Sequence, residues 1–142
     1  MPVPKLVGDI MTRELTTLEH DAKLLDAALL MRSSGFRHLP VVKDGRPVGV
    51  LSDRDVQRAS PSIFSNLSPD EYNRLFETIP VEKVMVREPM TATAETPIKE
   101  VVQVMYEQKV GSVLVVGPDK KLLGIVTNTD LLRMLNAVLD EV

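Results

Sequence analysis

Gly49-Val50-Leu51-Ser52-Asp53-Arg54-Asp55-Val56 is answered later in the chain by Gly124-Ile125-Val126-Thr127-Asn128-Thr129-Asp130-Leu131, at an offset of 75 residues. The shared pattern is Gly, two apolar residues, a hydroxyl residue, two variable positions and Asp. In both copies a strand-like apolar run ends at the hydroxyl residue and a helical pattern starts directly after it. The match extends toward the N-terminus at an offset of 74 residues. Leu39-Pro40-Val41-Val42 meets Val113-Leu114-Val115-Val116, Met31 meets Met105, Thr17 meets Thr91, and Ile10-Met11-Thr12-Arg13-Glu14 meets Val84-Met85-Val86-Arg87-Glu88. Self-similarity on this scale decides the architecture. Two units of about fifty residues are present, joined by the segment from Gln57 to Pro80.

Each unit reads alike. A short helical turn, at Gly8 to Met11 and again at Val81 to Met85, leads into a short strand around Leu15 to Leu18 or Met90 to Thr93. A helix follows, because Leu24, Ala27, Ala28 and Met31, like Ile98, Val101, Val102 and Met105, fall at i, i+3, i+4 and i+7. Thr96 is the expected N-cap of the second of these helices, with Pro97 at its first position. The runs His38 to Val42 with Val48 to Leu51, and Ser112 to Val116 with Leu122 to Val126, read as β-hairpins. Asp44-Gly45 and Gly117-Pro118-Asp119 supply their turns. A closing helix ends each unit, and the C-terminal one places Leu131, Leu135 and Val138 on one face with Leu132 and Leu139 nearby. In the connecting segment, Ser68-Pro69-Asp70-Glu71 is a capping box, and Tyr72, Leu75, Phe76 and Ile79 give its helix an apolar side. The expected division is residues 7–60, a helical connector 61–80, and residues 81–142. A fifty-residue unit alone buries too little surface to be secure, so two are expected to pack as one α/β (α+β) module of β-α-β-β-α halves.

Composition narrows the chemistry. With 142 residues, 44% hydrophobic and 26% charged, the chain is of ordinary globular type. It has no cysteine, which excludes disulfides, thiolate metal sites and a cysteine nucleophile. Two histidines, His20 and His38, cannot make a three-imidazole zinc site. A net charge of −3 and five aromatic residues, none of them Trp, argue against nucleic acid as a partner. Apolar runs such as Val113 to Val116 are too short to span a bilayer, and the N-terminus lacks the apolar core of a signal peptide, so the expected location is the cytoplasm.

The Ser/Thr-x-x-Asp elements admit two readings. As capping boxes, Ser52 and Thr127 accept from a backbone N–H while Asp55 and Asp130 reach back. As binding elements, the hydroxyl donates to a phosphate and the carboxylate accepts from the two hydroxyls of a ribose. Met11, Met31, Met85 and Met105 recur with the repeat and read as core filler. Asp70-Glu71 reads as a helix-start charge pair rather than a catalytic dyad.

The two Met-x-Arg-Glu starts, Phe36-Arg37-His38-Leu39-Pro40-Val41-Val42 and the two Gly-x-x-Ser/Thr-x-x-Asp endings together resemble a tandem pair of CBS motifs, the Bateman module, over about Val7 to Met134. Ser52-Asp53-Arg54-Asp55 followed by Ala59-Ser60-Pro61-Ser62 resembles, more narrowly, the CBS portion of acetoin-utilisation-type proteins. The resemblance implies two clefts between the packed motifs that take adenosine-bearing ligands. It assigns the ribose hydroxyls to Asp55 and Asp130, and ribose or phosphate contacts to Ser52 and Thr127. Base contacts go to Thr16, Thr17 and Leu18 and to Met90, Thr91 and Ala92. Arg37 and His38, with Gly111 and Ser112, line the clefts. The halves differ, because Arg37, His38 and Arg54 stand where the second has Gly111, Ser112 and Thr129. Arginine forks suit phosphate oxygens, and His38 is expected to be partly charged near neutrality.

The expected function is therefore a non-catalytic regulatory module binding AMP, ADP, ATP, S-adenosylmethionine or NAD. It needs no cofactor, although Mg²⁺ could accompany ATP. Because the chain carries no effector domain of its own, the signal is expected to pass in trans to an effector protein. A homodimer through helices is also expected. The alternative is a ligand-independent scaffold for dimerisation or docking, in which the Ser/Thr-x-x-Asp elements are caps only.

Overall fold

The computed structural model describes residues 3–60 and 66–142. Pro61 and Ser62 of the narrower resemblance, and residues 61–65 of the connector, lie outside them. Among the described residues the chain forms five α-helices and two small mixed sheets, an α+β architecture. They gather into two compact units: a first, Thr16–Glu88, and a second that combines the segment ending at Leu15 with Pro89–Val142.

In the first unit, β1 (Leu18–Glu19) lies parallel to β2 (His38–Lys43), which pairs antiparallel with β3 (Arg46–Ser52), which pairs antiparallel with β4 (Val86–Arg87). Asp44 and Gly45 both take positive φ, 54° and 78°, giving the tight two-residue turn that the Asp-Gly pair signals. α1 (Leu24–Ser34) crosses from β1 to β2. Asp26 Oδ2 accepts the Lys23 N–H at its start, and Gly35 ends it in the left-handed conformation. Its apolar stripe buries Leu24 and Ala27 against Leu18, Leu39, Val41 and Leu51, with Ala28 and Met31 partly buried alongside. α2 (Asp53–Ala59) follows β3 directly. α3 (Pro69–Thr78) starts at Ser68, whose Oγ accepts the Glu71 N–H at 3.2 Å, with Pro69 at the first helical position. Phe76 of α3 enters the same core, and Tyr72 stacks on it obliquely with ring centroids 5.0 Å apart.

The second unit repeats the plan. β5 (Thr91–Ala92) lies parallel to β6 (Ser112–Val116), which pairs antiparallel with β7 (Leu122–Thr127). α4 (Ile98–Gln108) covers the sheet with Val101 and Met105, and α5 (Asn128–Leu139) follows β7. Thr96 is not the N-cap of α4. Its Oγ1 turns back to accept the Thr93 N–H at 3.0 Å, and Pro97 takes the cap position. Val102, expected in the buried stripe, is 39% exposed, and on α5 Leu132, Leu135 and Leu139 are exposed while Leu131 packs on the core.

The compact units cut the chain differently from the sequence repeats. Val7 and Met11, at the head of the first repeat, are core residues of the second unit with Val101, Met105, Val113 and Val126. Val81, at the head of the second repeat, is fully buried in the first unit beside Leu24 and Leu39. Each 3₁₀ turn, Val7–Asp9 and Val81–Lys83, thus delivers the backbone that follows it to the outer edge of a hairpin. Val86 lies across from Val50, and Thr12 exchanges backbone hydrogen bonds with Ile125 at 2.8 and 3.0 Å. These close approaches require the glycine that opens each repeated element. A Cβ on Gly49 would stand 2.9 Å from the Val86 carbonyl oxygen, and one on Gly124 2.9 Å from the Thr12 carbonyl oxygen.

Candidate functional site

In the first unit the parallel β1/β2 pairing and the antiparallel hairpin bring four chain segments to one end of the sheet. These are the approach to β1, the start of β2, the end of β3 and the start of α2. His38 is paired with Ser52 across the hairpin, and the Arg37 carbonyl accepts the Asp53 N–H at 2.9 Å. This gathers Thr16, Thr17, Arg37, His38, Ser52, Arg54 and Asp55 on one shelf. Leu18 reaches the same end, but its side chain is buried in the core, leaving only its backbone for a ligand. Arg37 and Arg54 are exposed and His38 is half-buried.

Ser52 and Asp55 make the reciprocal cap: Ser52 Oγ accepts the Asp55 N–H at 3.2 Å, and Asp55 Oδ2 accepts the Ser52 N–H at 2.8 Å. Asp55 Oδ1 has the Arg58 guanidinium at 3.9 Å. Burial holds the His38 imidazole below its ordinary pKa. The Asp53 and Asp55 carboxylates pull it back up, and Arg54 and Arg37 push it down. His38 thus carries less charge near neutrality than a free imidazole would, and Arg37 and Arg54 stand beside it as permanent cations.

The second unit assembles the corresponding set. Thr91 and Ala92 form β5, the Met90 carbonyl accepts the Leu114 N–H, and Ser112 pairs with Thr127 across the hairpin. Gly111 precedes β6, Ser112 is buried, and Thr129 is exposed in the first turn of α5. Asp130 differs from Asp55 in its surroundings. Its Oδ2 accepts the Thr127 N–H at 2.8 Å and the Thr127 hydroxyl at 3.3 Å. Its Oδ1 accepts the Thr12 hydroxyl at 2.7 Å and approaches Arg133 Nη1 at 3.4 Å. The Asp130 side chain is 2% exposed, against 12% for Asp55.

Thr12 belongs to this constellation although no local pattern marks it as a site residue, since it lies 118 residues from Asp130. The available signal was a difference inside the repeat, where Thr12 stands against Val86. The methionines Met11 and Met105 are buried in the second unit's core, and Met31 and Met85 pack against the first's. At the end of β2 away from His38, the first unit holds a pocket of about 360 Å³ lined by His20, Lys43, Glu82, Arg87 and Glu88 with Val48 and Met85. There His20 Nδ1 lies 3.0 Å from Glu82 Oε1. In the second unit the corresponding residues are Ala94 and Gly8, whose backbones hydrogen-bond directly at 2.8 Å. Among the described residues no group of three or more His, Asp or Glu is placed to hold a metal ion, and no helix is long and apolar enough to cross a membrane.

The repeated hairpin with its hydroxyl-and-carboxylate ending has a known counterpart, because the CBS-domain family model matches residues 7–62 and 81–137. The chain belongs to the CBS-domain family. It is 30% identical over 138 residues to a CBS domain-containing protein of Dictyostelium discoideum, covering 96% of this chain and 95% of that one. It is 28% identical to an uncharacterised protein of Methanocaldococcus jannaschii over 91% of this chain, but spans only 46% of that protein's length. Among solved structures, CBSX2 in complex with AMP is similar at a TM-score of 0.80 and 28% identity, covering 95% of this chain and 99% of that one. The CBS domain pair of protein MJ0100, in complex with 5′-methylthioadenosine and S-adenosyl-L-methionine, is similar at 0.77 and 26% identity, with 96% and 98% covered. An acetoin utilization protein (AcuB) from Vibrio cholerae is similar at 0.76 and 29%, with 95% and 93% covered. The narrower resemblance thus also has a structural counterpart.

Proposed function

We propose that this CBS pair is a non-catalytic regulatory module that binds an adenine nucleotide or another adenosyl compound and passes the occupancy on to an effector protein. The observation that carries the reading is the first unit's shelf. One end of a single sheet presents a carboxylate with one oxygen outside the helix cap, a serine hydroxyl and two exposed guanidinium groups, within a fold whose relatives are named as complexes with AMP and with S-adenosyl-L-methionine. Asp55 Oδ1 suits a ribose hydroxyl, and Arg37 and Arg54 suit phosphate oxygens. ATP would bring Mg²⁺ with it, whereas AMP would not need it. Membrane and nucleic acid have no part in this reading, and the cytoplasm is its proposed setting.

The exposed leucines of α5, Leu132, Leu135 and Leu139, support a homodimer through helices. Light scattering of the chain against a Leu132→Glu/Leu135→Glu variant tests that part. The second reading, a ligand-independent scaffold, is favoured by one observation: both carboxylates serve helix starts, Asp55 in a reciprocal cap with Ser52 and Asp130 by accepting the Thr127 N–H. Thermal unfolding with AMP, ADP, ATP, S-adenosylmethionine and NAD separates the two. A ligand at about 100 times its Kd adds roughly 2.7 kcal/mol, and no shift with any of them leaves the scaffold.

A further inference from the structure

We infer that the two repeated carboxylates have parted in role: Asp55 is the acceptor for a nucleoside's hydroxyls, Asp130 is a positioning group already occupied by Thr12, and the residue at the Thr12/Val86 position decides which. The inference rests on the adenosyl-binding reading and deepens it.

An ionised carboxylate has about four lone-pair directions to offer. Asp130 has a partner for each: the Thr127 N–H and hydroxyl on Oδ2, the Thr12 hydroxyl and the Arg133 guanidinium on Oδ1. A ribose diol would have to displace the 2.7 Å bond from Thr12, the shortest of the four, at a side chain that is 2% exposed. Thr12 cannot withdraw with its backbone, because two hydrogen bonds tie it to Ile125 and the preceding Met11 is buried in the core.

The first unit has the same frame with one atom changed. Val86 lies across from Val50 as Thr12 lies across from Ile125, so the register position that supplies a hydroxyl in the second unit carries valine, which has none, in the first. Asp55 Oδ2 serves the cap, and among the described residues Oδ1 has only Arg58, at 3.9 Å. A hydroxyl donor arriving there meets an acceptor without displacing a protein bond of comparable length. The difference between the halves is therefore set by Thr12, whose hydroxyl bonds to its carboxylate, and by Val86, which has no hydroxyl to offer.

The test is calorimetric titration of the full chain with AMP. One equivalent per chain is expected. Asp55→Asn should weaken it roughly tenfold or more, the range for a hydrogen bond to a charged group. Val86→Thr should impose the second unit's arrangement on Asp55 and weaken AMP by a similar factor. Thr12→Val should free Asp130 Oδ1 and add a second, weaker equivalent. Because Val86→Thr and Thr12→Val are nearly isosteric, circular dichroism will show whether either fold is lost. Two equal equivalents in the unaltered chain, or Val86→Thr binding AMP as tightly as the parent, would overturn the assignment while leaving adenosyl binding intact. Failure of all five adenosyl ligands to bind the unaltered chain would overturn both.

Discussion

Replacing Thr12 by valine keeps the side-chain shape and deletes one hydroxyl, which isolates a single hydrogen bond. That bond runs from Thr12 Oγ1 to Asp130 Oδ1 at 2.7 Å, onto a carboxylate that is 2% exposed. Water cannot readily replace it at such a site, and the remaining partner of Oδ1, Arg133, sits at 3.4 Å with a side chain that is 70% exposed. A hydrogen bond to a charged group contributes about 1.5–3 kcal/mol, and the weak Arg133 contact offsets little of its loss. Thr12→Val should therefore destabilise by about 2 kcal/mol. In urea that appears as a lower midpoint at unchanged slope. Thr12→Ser, which keeps the hydroxyl, should retain most of the stability. A valine variant within about 0.5 kcal/mol of the parent, the range of an ordinary surface change, or a serine variant as unstable as the valine one, would refute the role given to this bond.

Further outcomes follow from the same geometry. Gly49→Ala and Gly124→Ala should each cost about 1–3 kcal/mol, because the new Cβ meets a backbone carbonyl at 2.9 Å that cannot rotate away; chemical denaturation measures it. Since the folded His38 pKa lies below its unfolded value of 6.5, the unfolded chain binds more protons as pH falls below that value. The His38 contribution is thus intact above pH 6.5 and lost as pH drops through the lowered folded value. His38→Gln should flatten that part of the stability profile. Ser68→Ala should cost about 1 kcal/mol through loss of the α3 cap, read as a fall in Tm.

Local features were legible in the chain. The i, i+3, i+4, i+7 spacing of α1, the Asp44-Gly45 turn and the proline after Ser68 all produced the elements their chemistry dictates. The repeat disclosed the two sheets and the shelf at the end of β3. What stayed hidden is non-local. The heads of the repeats are so alike that nothing in Val7 to Met11 or Val81 to Met85 says which hairpin each will edge, and the structure gives each to the compact unit built around the other repeat's hairpin. The Thr12–Asp130 bond follows from that exchange, and its trace in the sequence is the difference between Thr12 and Val86 inside the repeat. Thr96 shows a local competition instead: its hydroxyl could cap α4 or close the Thr93 turn, and it does the latter. The charge on His38 depends on burial together with four neighbouring side chains, which spacing along the chain does not reveal.

Central to the account is that the Asp55 shelf holds an adenosyl ligand. Titrating the full chain with AMP in a calorimeter, beside Asp55→Asn, tests this most directly. Saturable heat that is sharply weakened in the variant is the predicted result. Identical traces from both proteins, or no heat from either with AMP, ADP, ATP, S-adenosylmethionine and NAD, would contradict it.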